Sequence, residues 1–152
     1  GVCVIIDFAH TPAALENVLS ELRNMCPGKL FAVFGHGGER FQPNRHSLGL
    51  TAARFCDRIV VTMDNPRSED PGKIADQIFE GIRASDRKPE SEIVLDRKAA
   101  IRRALDGSRT GDVVAVTGKG PEKYLIIGNQ TIPYSDRETV LDWVKERGLT
   151  WE

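Results

Sequence analysis

The stretch VCVIIDFAHTPAALENVLSEL, residues 2–22, sets the pattern for the whole chain. It opens with five apolar residues, mostly β-branched, which is typical of a strand buried in a parallel sheet. After a short polar loop, Thr11 and Pro12 have the residue types of a helix N-cap and of a first helical position. Apolar residues then recur at helical spacing, at Leu15, Val18, Leu19 and Leu22. The stretch therefore predicts a strand, a loop and a helix in succession.

The same unit recurs along the chain. Short apolar runs predict further buried parallel strands at residues 30–34, 59–61, 93–95 and 113–116. Between them, apolar spacing predicts helices around residues 48–55, 74–82 and 101–105, the second of which opens at Asp70-Pro71. Strands that alternate with helices favour a parallel sheet covered on both faces.

The C-terminal part breaks this alternation. Residues 124–127 and 131–132 flank Gly128-Asn129-Gln130, which predicts a hairpin, and a capping box at residues 135–138 begins a last helix. The fold expected is α/β, a Rossmann-like three-layer domain with an about six-stranded, mostly parallel sheet, helices on both faces and a C-terminal hairpin. Residues 1–152 are predicted to form a single domain.

Composition excludes several classes of protein. The formal net charge of -1 lacks the basic excess of a nucleic-acid-binding protein, so we expect no nucleic-acid partner. No apolar run reaches the roughly 20 residues that span a bilayer, and no signal peptide is recognisable, so we expect no membrane partner and a cytoplasmic location. The three cysteines, Cys3, Cys26 and Cys56, are widely spaced, which favours reduced and buried thiols over a disulfide framework or a zinc site. No metal site is expected in this domain.

Four loops follow predicted strands, and ligands of open α/β sheets bind beyond the carboxyl ends of the strands. These loops are residues 7–12, 35–45, 64–67 and 118–122. Each is rich in glycine or in polar side chains, and each also has a purely structural interpretation as a helix cap, a tight turn or a solvated surface. The sequence predicts that the four loops lie together along one edge of the sheet.

The residue types in these loops suit a charged ligand. Asp7 and His10 precede a helix N-terminus, where a ribose hydroxyl or a base could be bound. Arg40 and Arg45 could pair with a carboxylate or phosphate, and no Walker phosphate-binding loop occurs in the chain. Acidic side chains elsewhere in the loops could hold ammonium groups.

The loops taken together are similar to the C-terminal domain of the Mur ligases that add meso-diaminopimelate to a peptidoglycan precursor. The resemblance runs nearly end to end. Its carrying segments are residues 7–12 (DFAHTP), 34–40 (FGHGGER), 64–67 (DNPR), 118–122 (GKGPE) and 134–137 (YSDR). The DNPR element is the most specific of them, because in the family it accompanies meso-diaminopimelate rather than lysine.

The resemblance implies roles for individual residues. Asp7 and His10 would face ATP, and Arg45 and Lys119 would be further contacts to phosphate or substrate. The residues implied in meso-diaminopimelate binding are Arg40, Asp64, Asn65, Pro66, Arg67, Gly118 and Glu122. Arg67 would meet the carboxylate that lysine lacks.

The resemblance further implies an ATP-dependent ligase that forms an acyl phosphate on UDP-N-acetylmuramoyl-L-alanyl-D-glutamate, which meso-diaminopimelate then attacks. ATP and Mg²⁺ would be bound mainly by a central domain, and the UDP end by an N-terminal domain. This chain contains neither, so we expect the domain alone to be inactive and to work with the other domains of its parent chain. Pro121 stands where the family usually has histidine. The alternatives are a divergent Mur or folylpolyglutamate-type ligase for another amino acid, or a non-catalytic amino-acid-binding module.

Overall fold

The computed structural model describes residues 1–151 and has the predicted alternation of strands and helices. Five parallel strands form the main sheet, in the order β1-β5-β2-β3-β4, and two antiparallel strands form a separate hairpin. The elements are β1 (Cys3–Asp7), α1 (Pro12–Met25), β2 (Leu30–Phe34), α2 (Pro43–Phe55), β3 (Arg58–Val61), α3 (Pro71–Ala84), β4 (Glu90–Ile93), α4 (Arg97–Gly107), β5 (Val113–Thr117), β6 (Tyr124–Ile127), β7 (Gln130–Pro133) and α5 (Asp136–Glu146).

The α/β class and the three-layer arrangement are confirmed, with a main sheet of five strands rather than about six. Helices α1, α2 and α3 cover one face, and α4 and α5 cover the other. Alternate residues of β2 enter opposite cores, Ala32 and Phe34 on the first face and Phe31 and Val33 on the second. Both faces of the central strands are therefore buried.

The edge strands differ from the sequence prediction. Residues 2–6 and 93–95 were expected to be buried strands, whereas β1 is only partly buried and β4 runs over Glu90–Ile93 with mixed exposure. The start of β4 was not predicted, because its first three residues, Glu90, Ser91 and Glu92, are polar. An edge strand needs no continuous apolar run. Cys3 in β1 is exposed and corrects the expectation of three buried thiols, whereas Cys26 and Cys56 are buried.

The predicted helix starts are confirmed in atomic detail. Thr11 Oγ1 accepts a hydrogen bond from the backbone N–H of Ala14 at 3.2 Å, and Ser135 Oγ accepts one from Glu138 at 3.2 Å. The hairpin also forms, with Gly128 at φ 59° in its turn. In the described part of the chain, no helix is long and apolar enough to cross a membrane.

Strand order decides where the loops meet. After β4, helix α4 returns the chain across the second face, so that β5 lies between β1 and β2. The loop after β5 thereby reaches the loop after β1, where the Gly118 N–H donates to the Asp7 carbonyl at 3.1 Å. This topology brings all four polar loops to one edge of the sheet.

Candidate functional site

A cleft of about 290 Å³ lies at the carboxyl ends of the parallel strands. All four predicted loops contribute to it, as the sequence analysis expected. The predicted site residues that line the cleft are His10, Arg40, Asp64, Asn65, Arg67, Gly118 and Glu122. The four loops therefore form one site.

Six other lining residues were not predicted as site residues from the sequence. They are Phe8, Thr11, His36, Gly37, Phe41 and Asn44. Phe8 and Phe41 are exposed aromatic side chains on the rim, with 48% and 67% of their surface accessible. Their positions within the DFAHTP and glycine-rich loops were the available signal, but an exposed aromatic residue has no periodicity that would reveal it.

The glycine-rich loop and the DNPR loop are fixed against each other by close backbone contact. The Gly38 N–H donates to the Asn65 carbonyl at 2.8 Å, and a Cβ on Gly38 would lie 1.8 Å from the Pro66 carbonyl oxygen. Only glycine permits this approach. Pro66 itself does not line the cleft, and its carbonyl oxygen also accepts a bond from the Glu69 N–H at 3.1 Å.

Arg67 is held in an uncommon conformation. Its φ is 54°, in the left-handed region, and its Nη1 donates to the Gly38 carbonyl at 3.0 Å. Its backbone pairs with the hairpin. The Arg67 N–H donates to the Ile126 carbonyl at 3.0 Å, and the Arg67 carbonyl accepts from the Gly128 N–H at 2.7 Å. Left-handed backbone at a non-glycine residue persists only where the surroundings enforce it. The hairpin thus orients the arginine toward the cleft.

A buried lysine organises the acidic side of the cleft. Lys119 Nζ is fully buried and lies 3.0 Å from Asn65 Oδ1, 2.7 Å from Glu122 Oε2 and 3.9 Å from Asp64 Oδ1. Because Lys119 does not line the cleft, the structure gives it a supporting position beneath the ligand-facing side chains. Its charge offsets those of Asp64 and Glu122, which face the cleft.

Arg45 also lies beneath the cleft rather than on its surface. Its guanidinium, 2% exposed, makes an ion pair with Glu69 at 2.6 Å and donates to Gln77 at 2.8 Å and to the Gly37 carbonyl at 3.2 Å. The hydrogen bond from Arg45 lowers the pKa of Glu69. The predicted phosphate or substrate contact of Arg45 has no support in this geometry, since its donors are directed at protein acceptors.

The two residues predicted to face ATP occupy different positions. His10 is exposed at the rim of the cleft, where its ring lies edge-on to Phe8 with centroids 4.9 Å apart. Asp7 does not line the cleft, and its Oδ1 accepts a hydrogen bond from the Ala9 N–H at 2.7 Å. Among residues 1–151, no cluster of three or more metal-binding side chains occurs.

A buried ion pair lies at the strand ends next to two of the cleft loops, and it was not predicted from the sequence. Arg97 and Asp136, both with fully buried side chains, form two bonds of 2.8 Å. The guanidinium also donates to the carbonyls of Met63 at 3.1 Å and Thr117 at 3.0 Å, just beyond β3 and at the end of β5. Asp136 belongs to the YSDR segment, which was the only available signal. The pair holds together the strand ends that carry two of the cleft loops.

The chain matches the family model described as "Mur ligase, glutamate ligase domain" over residues 1–120. It is 43% identical over 148 residues to the UDP-N-acetylmuramoyl-L-alanyl-D-glutamate--2,6-diaminopimelate ligase of Thermosynechococcus vestitus, covering 96% of this chain and 29% of that protein. The ligase of the same name from Aquifex aeolicus is 45% identical over 137 residues, which cover 90% of this chain and 28% of that protein. The chain thus spans less than a third of these relatives.

Solved structures agree with this assignment. A structure of UDP-N-acetylmuramoyl-L-alanyl-D-glutamate--2,6-diaminopimelate ligase superposes with a TM-score of 0.88 at 33% identity, covering 97% of this chain and 30% of that one. A folylpolyglutamate synthase/dihydrofolate synthase from Yersinia pestis superposes with a TM-score of 0.59 at 24% identity, covering 76% of this chain and 25% of that one, which indicates a shared fold alone. The fold, the four loops and the family match agree, and the chain belongs to the Mur ligase family as a glutamate ligase domain.

Proposed function

We propose that this chain is the amino-acid-binding C-terminal domain of an ATP-dependent ligase. The ligase would add meso-diaminopimelate to UDP-N-acetylmuramoyl-L-alanyl-D-glutamate during peptidoglycan synthesis. Relatives that bear the name of this ligase are 43% and 45% identical over nine-tenths or more of the chain. Their names describe those proteins, and the cleft chemistry of this chain supports the extension.

The observation that carries the proposal is the distribution of charge in the cleft. Arg40 and Arg67 provide guanidinium groups, and Asp64 and Glu122 provide carboxylates, all within one cleft of about 290 Å³. Meso-diaminopimelate has two carboxylates and two ammonium groups, so it can pair with both sets. A ligand with one carboxylate and one ammonium group would leave one arginine and one acidic side chain without a ligand partner, which is unfavourable where water is displaced.

Asp64, Asn65 and Glu122 are fixed before any ligand arrives. Asp64 Oδ1 accepts from the Asn65 N–H at 2.7 Å, and Asn65 Oδ1 accepts from both Lys119 and the Ile126 N–H at 3.0 Å. Preorganised polar groups lose little conformational entropy on binding. The domain would therefore hold the incoming amino group in place for attack on the acyl phosphate, a step whose rate depends on such positioning.

We further propose that ATP and Mg²⁺ act at the boundary with the rest of the parent protein. His10 lies on the rim, where its ring could contact a base or a ribose, and Asp7 lies behind it at the end of β1. A folylpolyglutamate synthase/dihydrofolate synthase of the same fold was solved with AMPPNP and a manganese ion, and that finding belongs to that protein. The described residues offer no clustered metal ligands, so Mg²⁺ would be held mainly by the central domain.

These assignments imply that the domain acts only with its partners. The UDP-N-acetylmuramoyl dipeptide and the phosphates of ATP would be bound by the other domains of the parent chain, and domain closure would bring the cleft to them. The isolated domain would bind amino acid without turnover. A cytoplasmic site of action follows from the use of ATP and a nucleotide-linked precursor.

The experiment that tests the proposal compares Arg67→Lys with Arg83→Lys in the full-length parent protein. Arg67→Lys keeps the charge and loses the two-pronged donor, whereas Arg83 lies on α3 against Phe79 and serves as the matched control. Arg67→Lys should raise the KM for meso-diaminopimelate about 10-fold to 100-fold, since hydrogen bonds to charged groups contribute roughly 1.5–3 kcal/mol. The KM for ATP should stay unchanged.

Substrate competition separates the alternatives. Wild-type protein should use meso-diaminopimelate in preference to lysine and glutamate, and Arg67→Lys should reduce the preference over lysine. Preferential use of glutamate would favour a folylpolyglutamate-type ligase, whereas amino-acid binding without ATP consumption would favour a non-catalytic module. An unchanged KM for meso-diaminopimelate in Arg67→Lys would contradict the role of this residue.

A further inference from the structure

His36 lies in the cleft and has no role in the proposed function. It lies in the glycine-rich loop after β2, lines the cleft and is 6% exposed, so its ring is almost entirely enclosed by protein. Its neighbour Gly37 is also close to the cationic side of the cleft, because a Cβ there would lie 2.9 Å from Arg67 Nη1 and 3.2 Å from Arg40 Cγ. His36 thus adjoins the part of the cleft suited to a carboxylate.

Arg45 determines which ring nitrogen of His36 carries the proton. Arg45 Nε donates to His36 Nδ1 across 3.2 Å, and both side chains are buried. A guanidinium has donors and no acceptor, so Nδ1 has to supply the lone pair of this bond. The neutral ring therefore carries its proton on Nε2, as a donor directed away from Arg45.

The Nε2 atom has no partner among the described residues. No hydrogen bond to Nε2 occurs in residues 1–151. In these residues, Thr117 Oγ1 is the only fully buried side-chain nitrogen or oxygen without a partner, so Nε2 keeps some exposed surface. Nε2 is therefore in contact with the cleft. An almost fully buried side chain presents an unsatisfied N–H to the space where a ligand would bind.

The charges around the ring favour its neutral form. Burial and the adjacent Arg45 guanidinium lower the pKa of His36, and His10 acts in the same direction. Asp64 and Glu69 face the ring with negative charge and oppose the shift less strongly. Since an ordinary histidine has a pKa of about 6.5, the ring is neutral near pH 7.

We propose that His36 is a specificity-determining residue that donates a hydrogen bond from Nε2–H to a carboxylate oxygen of the amino-acid ligand. A neutral N–H donor pairs with an anionic oxygen and cannot pair with an ammonium group, so it adds to the guanidinium groups of Arg40 and Arg67. Arg45 is the positioning residue, because it fixes the ring orientation and the tautomer through Nδ1. The inference rests on the proposed function and adds a contact to it.

Two substitutions separate this role from a structural one. His36→Asn can keep an acceptor near Nδ1 for Arg45 but has no donor at the position of Nε2. His36→Gln places an amide N–H near the position of Nε2 and loses the acceptor for Arg45. If His36 only supported Arg45, His36→Asn would be the milder change; if it binds the ligand, His36→Gln would be.

The measurement is steady-state kinetics of the full-length parent protein with meso-diaminopimelate. We expect His36→Asn to raise the KM for this amino acid about 10-fold or more, which is the effect of one hydrogen bond to a charged group. The KM of His36→Gln should stay within about 3-fold of the wild-type KM. Its melting temperature should fall further than that of His36→Asn, since the buried Arg45 loses a partner. His46→Gln, at an exposed position of α2, is the matched control.

The outcomes distinguish the proposals. An equal KM in His36→Asn and wild type would overturn the role of His36 without affecting the proposed ligase activity. A rise confined to the KM for ATP would also overturn it, because the donor would then serve a phosphate. If wild-type protein used a different amino acid, the proposed function would fail, and the two variants would be compared with that substrate.

NMR of the wild-type protein tests the proposal even if the variants do not fold. In wild-type parent protein labelled with ¹⁵N-histidine, the His36 ring should give the pattern of the neutral Nε2–H tautomer. Addition of meso-diaminopimelate should shift the Nε2 signal. A protonated ring, the opposite tautomer or an unchanged Nε2 signal at saturating ligand would each refute the proposal.

Discussion

Replacement of Asp136 by asparagine tests whether the buried ion pair supports the cleft. Asp136 Oδ1 accepts from Arg97 Nε and from the Tyr134 hydroxyl at 2.8 Å each, and Oδ2 accepts from Arg97 Nη2 at 2.8 Å. Both charged side chains are fully buried. Burial, with the Asp136 carboxylate beside it, raises the pKa of Tyr134, so its hydroxyl remains a donor. Asparagine would turn an NH₂ group toward at least one of these donors.

The magnitude follows from the desolvated charge that remains. Removing one partner of a buried pair leaves the other uncompensated and costs about 3–5 kcal/mol. For a domain of this size, each kcal/mol lowers the melting temperature by roughly 2–4 °C, which gives a decrease of roughly 6–20 °C. Amino-acid affinity should fall as well, because Arg97 also binds the Met63 and Thr117 carbonyls beside the cleft loops.

The assays are thermal unfolding, for the melting temperature, and urea unfolding, for the free energy, of the 152-residue chain, each followed by circular dichroism and by fluorescence of the tryptophans. Glu16→Gln is the matched control, because it neutralises one side of the Arg54–Glu16 pair, whose side chains are 58% and 45% exposed. Exposed pairs contribute about 1 kcal/mol or less. A loss for Asp136→Asn no larger than that for Glu16→Gln would refute the reasoning.

Two further predictions concern charge and thiol reactivity. The hydrogen bond from Arg45 lowers the pKa of Glu69, so their pairing stabilises the fold above the ordinary glutamate pKa of about 4.3 and is lost as the pH falls through the folded-state value. Wild type should therefore lose stability more steeply than Glu69→Gln in urea titrations below about pH 4.3, and parallel profiles would contradict this. With a maleimide, exposed Cys3 should react in the native chain, whereas Cys26 and Cys56 should react only after unfolding; burial also raises the pKa of Cys56. Rapid native labelling in Cys3→Ser would count against this assignment.

The central strands could be predicted from sequence because a strand buried on both faces requires a continuous apolar run, which a short span of sequence shows. Residues 30–34 and 113–116 are continuous apolar runs, and both faces of β2 and β5 are buried in the structure. A strand was predicted at residues 93–95, but its bounds, Glu90–Ile93, could not be recognised in the same way, since an edge strand exposes one side and tolerates Glu90 and Glu92. The glycine-rich and DNPR loops were identified from residue type, yet nothing local indicated that a Cβ on Gly38 would clash with Pro66.

The candidate site was likewise predicted only in part. Arg40, Arg67, Asp64 and Glu122 were predicted as ligand-facing side chains, and the structure brings them into one cleft. Arg45 and Lys119 have the same residue types and loop positions, but their charges are directed at protein partners. The sequence shows which residues are charged, but it does not show their burial, and burial determines what each charge contacts. His36 was overlooked for the same reason, because its significance comes from Arg45, nine residues away, and not from a motif.

The sequence by itself determined the α/β class, the helix starts at Thr11 and Ser135, the hairpin and the identity of the four cleft loops. Each of these depends on apolar periodicity, turn chemistry or residue type over a short span of chain. The tertiary structure decided the strand order, with β5 between β1 and β2, and thereby which loops meet. It also decided which charged side chains face the cleft and which support it, because burial and pairing depend on residues far apart in the chain.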